Sequence, residues 1–483
     1  AVGVGSGLSV GSGEITLGVA GPVLSAGRWA TVDSSFRPGI QTLSFVASGG
    51  SSVTGMVTDT AGNRYVFGSF SGTMDLGGGT VLSSASTQND RGGFVAKLDD
   101  LGGLTWAKAF PLVNHTPNGQ QNEMLVEIAK GAIEGSGNLV LCGTFRARAN
   151  FAGITDQPEG GGDGFIISLR PDGTAAWFQK FGGAEAAPDT LVDIDVGPGG
   201  TNIVAGGTLV QSGDTDGLVV AITTTNGGIL AQSQWTLAGD PADPQGSDIG
   251  GSVAHVCLSG ASPVAAWEGG GNHCITNLGT TGWGLTNAGP VHGMLADGSG
   301  DVIALETDEV ETTYGQTVGR ATKMSGATGA VLWERWGSYS ETWDEYQTLI
   351  LNWERKQYVG VAVDRSDNVW LARNTFWYWY DPQYSTYDEG SYRGVDRARS
   401  SDGQVTVSVS CTAETMWADG AGDVHVVGYE TGGLRHLRFD GATGATDENE
   451  IISGPSGPIA GLAASVQSLA VACAGPPPAL VLS

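Results

Sequence analysis

The chain of 483 residues has a formal net charge of −27, which speaks against nucleic acid and anionic membrane surfaces as partners, because both are bound through clustered Lys and Arg. No apolar stretch reaches the roughly 18 residues of a spanning helix. The longest, residues 462–474, is interrupted by Gln467 and followed by Pro476, Pro477 and Pro478. Apolar runs are short, rich in Val, Ile, Leu and aromatics, and punctuated by Gly, Asp and Asn, with no sustained i, i+3, i+4 pattern. This is the signature of an all-β chain. Its 79 glycines are spread evenly, as expected where a tight turn recurs every dozen residues. Five scattered cysteines make no disulfide framework and are expected to be buried thiols.

Residues 1–28 are small, apolar and charge-poor, and lie outside any repeat. They are read as an extended arm able to add to a neighbouring sheet edge and so to build a homo-oligomer or filament, with an ordinary extra strand or a disordered leader as the alternatives. The start at Ala1, without Met or a basic leader, fits a processed, exported protein. Residues 29–33 and 39–46 have the apolar alternation of two strands. From residue 53 a repeat begins. Residues 53–58 are read as strand a, Asp59-Thr-Ala-Gly-Asn63 as a turn, 64–70 as strand b, 94–98 as strand c and 104–110 as strand d. Asp bonds backbone amides two or three residues on, and Gly or Asn accepts the positive φ of such a turn.

The a–b turn recurs as Glu134-Gly-Ser-Gly-Asn138, Asp297-Gly-Ser-Gly-Asp301, Asp364-Arg-Ser-Asp-Asn368 and Asp419-Gly-Ala-Gly-Asp423. The c–d turn recurs as Arg170-Pro-Asp-Gly173, Thr225-Asn-Gly-Gly228, Ser325-Gly-Ala-Thr-Gly329, Ser401-Asp-Gly403 and Asp440-Gly-Ala-Thr-Gly444. Trp106, Trp177 and Trp333 follow such turns on strand d, and Trp235 is read as a later version of the same position. Seven units result. The ends supply the halves of an eighth, with strands c and d from residues 29–46 and strands a and b from 468–482. The fold expected is a β-propeller of eight four-stranded blades whose last blade is closed by both chain ends. A seven-bladed ring with terminal decorations is the alternative. Residues 1–28 then form the arm and 29–483 the propeller.

The run Val57-Thr-Asp-Thr-Ala-Gly-Asn-Arg-Tyr-Val-Phe-Gly-Ser-Phe70, with Phe94-Val-Ala-Lys-Leu-Asp99 and Leu104-Thr-Trp-Ala-Lys108, resembles the bacterial β-propeller repeat of the SBBP type. The resemblance implies a propeller and an exported or cell-surface location. It implies no particular activity.

The enzyme readings rest on less. Ala321-Thr-Lys-Met-Ser-Gly-Ala-Thr-Gly-Ala-Val-Leu-Trp333 resembles the tryptophan-docking segment of pyrroloquinoline-quinone dehydrogenases, but this chain has no adjacent Cys pair. Arg393, Arg397 and Arg399 lack the Asp-box of sialidases and are read as a solvated strand face. His255, Cys257, His273 and Cys274 lack zinc-ligand spacing. Asp297 with Asp301, and Asp419 with Asp423, are the best calcium candidates through their turn carboxylates, although turn chemistry accounts for the same residues. No other cofactor is expected.

Composition singles out one region. Of 14 Trp and 11 Tyr residues, fifteen lie within 333–392. Trp336, Tyr339, Trp343 and Trp353 fall in one insertion. Trp377, Tyr378, Trp379, Tyr380, Tyr384 and Tyr387 fall in a second, between strands b and c of the sixth repeat. Carboxylates intersperse both. Aromatic platforms of this kind contact proteins or sugars, or else pack on one another beneath long loops. The function expected is a non-catalytic binding or assembly scaffold with a protein or polysaccharide partner at a cell surface. A carbohydrate-active or quinone-dependent propeller enzyme is the alternative.

Overall fold

The computed structural model describes strands at 8–11, 14–17 and 41–44, and then residues 47–482. It leaves out 78, 86–89, 100–101, 114–125, 198, 212–213, 236–250, 270–271, 280–282, 287–288, 310–316, 344–349, 382–385, 412, 414, 419–421, 431–432, 453–458, 466–467 and 474–478. All regular structure among the described residues is strand. The strands form successive antiparallel meanders, each pairing a with b, b with c and c with d.

Sheet one contains Ser51–Thr58, Arg64–Phe70, Gly92–Leu98 and Leu104–Phe110. Sheet two contains Val126–Ile133, Leu139–Phe145, Asp163–Leu169 and Ala175–Phe181. Sheet three contains Thr190–Val196, Asn202–Gln211, Asp214–Thr223 and Ile229–Trp235. Sheet four contains Ser252–Ser259, Ser262–Gly269, Asn272–Asn277 and Gly284–Thr286. Sheet five contains Val291–Ala296, Val302–Glu309, Thr317–Met324 and Val331–Trp336. Sheet six adds Tyr339–Trp343 ahead of Ile350–Val363, Val369–Asp381, Thr386–Ala398 and Val405–Ser410. It therefore has five strands where four were expected. Sheet seven contains Thr415–Ala418, Val424–Glu430, Gly433–Phe439 and Thr446–Ile452. From sheet one to sheet seven, strand a of each sheet lies beside strand a of the next, the arrangement of a β-propeller.

A further sheet joins the chain ends in the order Gln41–Ser44, Ala479–Leu482, Ser468–Cys473, Ile459–Ser465. Three of its strands come from the C-terminal side and one from the N-terminal side, where two of each were expected. The physical reason is local. Ile459–Ser465 and Ser468–Cys473 are separated by two residues and pair as a hairpin, so the C-terminal segment supplies its own strand a. Residues 29–33, expected to be a strand, lie outside the described residues. In the arm, Leu8–Gly11 pairs with Glu14–Leu17 as a hairpin; the rest of 1–28 lies outside the described residues.

Each seam between sheets has its own apolar layer. Tyr65 and Phe67 of sheet one meet Leu139, Leu141 and Phe165 of sheet two. Strands b and c of sheets one and two are buried along their whole length, because both faces are covered, and polar Arg64, Lys97 and Asp163 are buried with their apolar neighbours. The a–b turns form as their sequence requires. Asp59 Oδ1 accepts the amides of Ala61 and Asn63, and Gly62 takes φ +82°. Asp297 and Asp364 repeat the device.

The c–d turns lock neighbouring sheets. Trp106 Nε1 donates to Pro171 O, Trp177 Nε1 to Thr224 O, Trp283 Nε1 to Gly326 O and Trp333 Nε1 to Ser400 O, all within 2.8–2.9 Å. Each indole lies over the positive-φ glycine of the next turn: Gly173, Gly227, Gly329 or Gly403. Trp177 and Trp333 are buried and Trp106 is half-buried. Trp283 was not foreseen, because its turn lacks the recurrent sequence. Trp235 is not a version of this position: it pairs with Gly217 at the far end of its strand, and the equivalent residue is Ala231.

Candidate functional site

Sheet six carries most of the aromatic region, and the described Trp and Tyr residues from Tyr339 to Tyr392 lie in strands where loop insertions were expected. Its strands a, b and c run 14, 13 and 13 residues, against seven or eight in sheet one. At about 3.3 Å per residue, the surplus is roughly 20 Å of antiparallel sheet. Aromatic and β-branched residues suit a pleated surface, so the repeat's strands simply continue. Tyr339–Trp343 pairs along strand a and widens this wing.

The register sorts the side chains. One row across the strands is Tyr339, Arg355, Phe376 and Ser391; the next is Ser340, Glu354, Trp377 and Gly390. A third is Glu341, Trp353, Tyr378 and Glu389, and a fourth is Thr342, Asn352, Trp379 and Asp388. Tyr380 pairs with Tyr387, and Asp381 with Thr386. Alternate rows belong to the same face of a pleated sheet. One face therefore collects the rows of Phe376, Tyr378 and Tyr380; the other collects those of Trp377 and Trp379, with Glu354 and Asp388. For Tyr339, Trp343, Trp353 and Tyr387, backbone pairing alone is described, and Tyr384 lies outside the described residues.

Trp379 and Tyr392 are 47% and 44% exposed, and Trp336, at the foot of the wing, is 47% exposed. Trp377, Tyr378 and Tyr380 are half-buried. Trp377 lies over Gly390, where a Cβ would sit 2.7 Å from its ring. Two cations stack on rings: Arg355 over Phe376 at 5.0 Å and Arg320 over Trp336 at 4.7 Å. Sequence inspection had picked out neither arginine, because only the register brings them beside the rings. The base is rigid. Asp396 is buried between Arg373 at 2.8 Å and Lys356 at 3.3 Å, and Tyr358 is buried below.

The calcium candidates have other occupants. Asp297 is buried and meets Lys323 Nζ at 2.6 Å, with Asp301 3.5 Å from the same ammonium. Asp423 accepts Arg438 Nη2 at 2.8 Å and the amide of Gly441 at 2.9 Å. Asp419 lies outside the described residues. Among the described residues no group of three or more His, Cys, Asp or Glu is placed to hold a metal ion.

Arg397 corrects the expectation of a solvated face. It is buried, and its Nε donates to Asp364 Oδ2 at 2.8 Å while Nη2 donates to Gly441 O and Ala442 O. The guanidinium takes the role that indoles play at other seams. Arg399 is exposed.

One polar constellation escaped the sequence reading. Lys130, Asp193 and His255 occupy the same post-bulge position in strand a of sheets two, three and four. Asp193 bonds Lys130 Nζ and lies 3.5 Å from His255 Nδ1. Its Oδ2 accepts the Val256 amide, and Asp195 Oδ2 accepts that of Leu258. Strand a has no ladder partner on one edge, so these carboxylates satisfy amides that sheet pairing leaves open. Burial alone would raise the Asp193 pKa, but His255, Lys130 and the Val256 amide outweigh it and hold it low. Asp195 keeps a raised pKa, because burial dominates its amide bonds. Cys142, facing this network, is pushed by burial up to about 12, which makes it an inert thiol. Cys257 and Cys411 are likewise buried and unbridged.

No protein-family model matches this sequence, and no curated protein matches it. Solved structures similar in shape include an alcohol dehydrogenase and two propellers. The quinohemoprotein alcohol dehydrogenase from Comamonas testosteroni aligns over 91% of this chain and 75% of its own, at 10% identity and TM-score 0.48. The β-propeller domain of Cps50 (Swd1) from Myceliophthora thermophila aligns over 74% of this chain and 99% of its own, at 9% identity and TM-score 0.38. The Dos1 propeller aligns over 92% and 95%, at 10% identity and TM-score 0.37.

Proposed function

We propose that this chain is a non-catalytic binding scaffold: a ring of eight blades that holds the aromatic wing of sheet six out to a protein partner. Two observations support the ring. The sheet that joins the chain ends has a blade's strand order, and its Ile459–Ser465 lies beside Ser51–Thr58 of sheet one. Pairing the ends in one blade removes the open edge of an unclosed ring.

The partner reading rests on the wing. Exposed Trp379 and Tyr392 stand on one face of the sheet with exposed Asp388 paired to Trp379, and Glu389 is exposed on the opposite face. Aromatic anchors are enriched in protein interfaces and lose little entropy on binding. The carboxylates and the charge of −27 favour a partner with a basic contact surface. The SBBP resemblance is consistent with an exported scaffold.

The test compares wild type with a Trp379→Ala, Tyr392→Ala double variant. Both side chains are exposed, so the melting temperature should stay within a degree or two. Binding to a lysine-rich probe protein should fall about thirty-fold or more if the pair anchors the contact. Equal binding by both proteins removes the wing as the contact face. Selective loss on an immobilised neutral polysaccharide instead would replace a protein partner with a sugar.

A further inference from the structure

The seam between sheets three and four lacks the indole that locks four other seams. Register fixes the equivalent position. In sheets one, two and five the docking Trp pairs with the strand c residue just before a bulge: Lys97 with Trp106, Ser168 with Trp177 and Lys323 with Trp333. In sheet three the same pair is Ala221 with Ala231. Two alanines stand where the other sheets place an indole and a polar or basic side chain. A cleft of about 160 Å³, open to solvent where Leu230 is 56% exposed, lies at this seam, lined by Val219, Ala221 and Leu230 from sheet three and Leu258, Pro263 and Leu278 from sheet four. Asn202 is the one polar side chain on its wall.

We propose that this cavity is a binding site for a small planar aromatic molecule of indole size. Size and chemistry agree: the lining is mainly apolar, a volume of about 150 Å³ takes up a single aromatic ring, and the open side at Leu230 gives it a way in. Shape agrees as well. Trp177, one seam earlier, shows the group that this position accommodates, with its ring over Gly227 and its N–H on Thr224 O. The Asn202 side chain can serve an entering N–H donor as acceptor.

Indole itself is the probe, followed by calorimetry and by melting temperature on the full chain. Wild type should bind one equivalent and melt higher with increasing indole, because a ligand that binds only the folded state stabilises it. Ala231→Trp should fill the cavity, raise the melting temperature and abolish indole binding. If that variant does not fold, Ala221→Leu narrows the same cavity from the facing strand and should weaken binding at least ten-fold. Trp177→Ala opens a comparable slot at the preceding seam and should bind a second equivalent. Absence of indole binding to wild type overturns the proposal, as does binding that survives both Ala231→Trp and Ala221→Leu.

Discussion

Replacing Trp177 with Ala tests the docking of one sheet on the next. Trp177 is 7% exposed and donates to Thr224 O at 2.9 Å. An aromatic of this size buries roughly 200 Å². At about 25 cal/mol per Å² that is about 5 kcal/mol, of which the remaining methyl keeps about 1. The expected loss is therefore about 4 kcal/mol, inside the usual range for such truncations. Trp106 is half-buried, so the same change there should cost about 2 kcal/mol by the same area argument. Gly227 supplies an internal control. It sits at φ +67°, and a Cβ would lie 2.6 Å from the Trp177 ring. Gly227→Ala should therefore cost a clash on top of roughly 1–2 kcal/mol of backbone strain. In the background of Trp177→Ala the clash disappears and only the strain remains, so the two changes should be strongly non-additive. Urea denaturation of the four proteins, followed by tryptophan fluorescence and circular dichroism, measures the cycle. Additive losses, or a Trp177→Ala cost below about 1 kcal/mol, would refute the docking argument.

Further outcomes follow from other contacts. Arg397→Met should cost roughly 3–5 kcal/mol by leaving Asp364 buried and without its guanidinium partner; a shift of less than two degrees in melting temperature would contradict this. Millimolar Ca²⁺ should leave the melting temperature unchanged, since Lys323 and Arg438 already neutralise Asp297 and Asp423; a clear rise would restore the calcium reading. Acidification should act in two steps. Asp163, Asp189 and Asp195 have pKa values raised by burial, so the fold binds protons there before the unfolded chain does, and their contribution grows as pH falls from 7 towards about 4. Asp193 is depressed, so its contribution is present above the ordinary carboxylate pKa and is lost as pH falls through the lower folded value. A melting temperature that falls steadily from pH 7 downwards would count against the first step.

The sequence by itself determined the repeat. Asp or Glu at the start of an a–b turn, and a residue that accepts positive φ (Gly62, Gly137, Gly300 or Asp367) before its end, are local requirements of the backbone, so Asp59, Glu134, Asp297 and Asp364 announced their turns without help from distant residues. The aromatic concentration in 333–392 was equally plain, because composition needs no partner. What tertiary structure decided was register and seam. Nothing local distinguishes a loop from a strand that runs on past its neighbours, so the wing became visible only when Trp353 paired with Tyr378 and Trp377 with Gly390. Arg397 reads as an ordinary strand arginine until the turn at Gly441 arrives from the next sheet to accept its hydrogen bonds. Ala231 carries no signal of its own. It acquires meaning because its register is the one at which other sheets carry a docking indole, and that comparison exists only once the strands are paired.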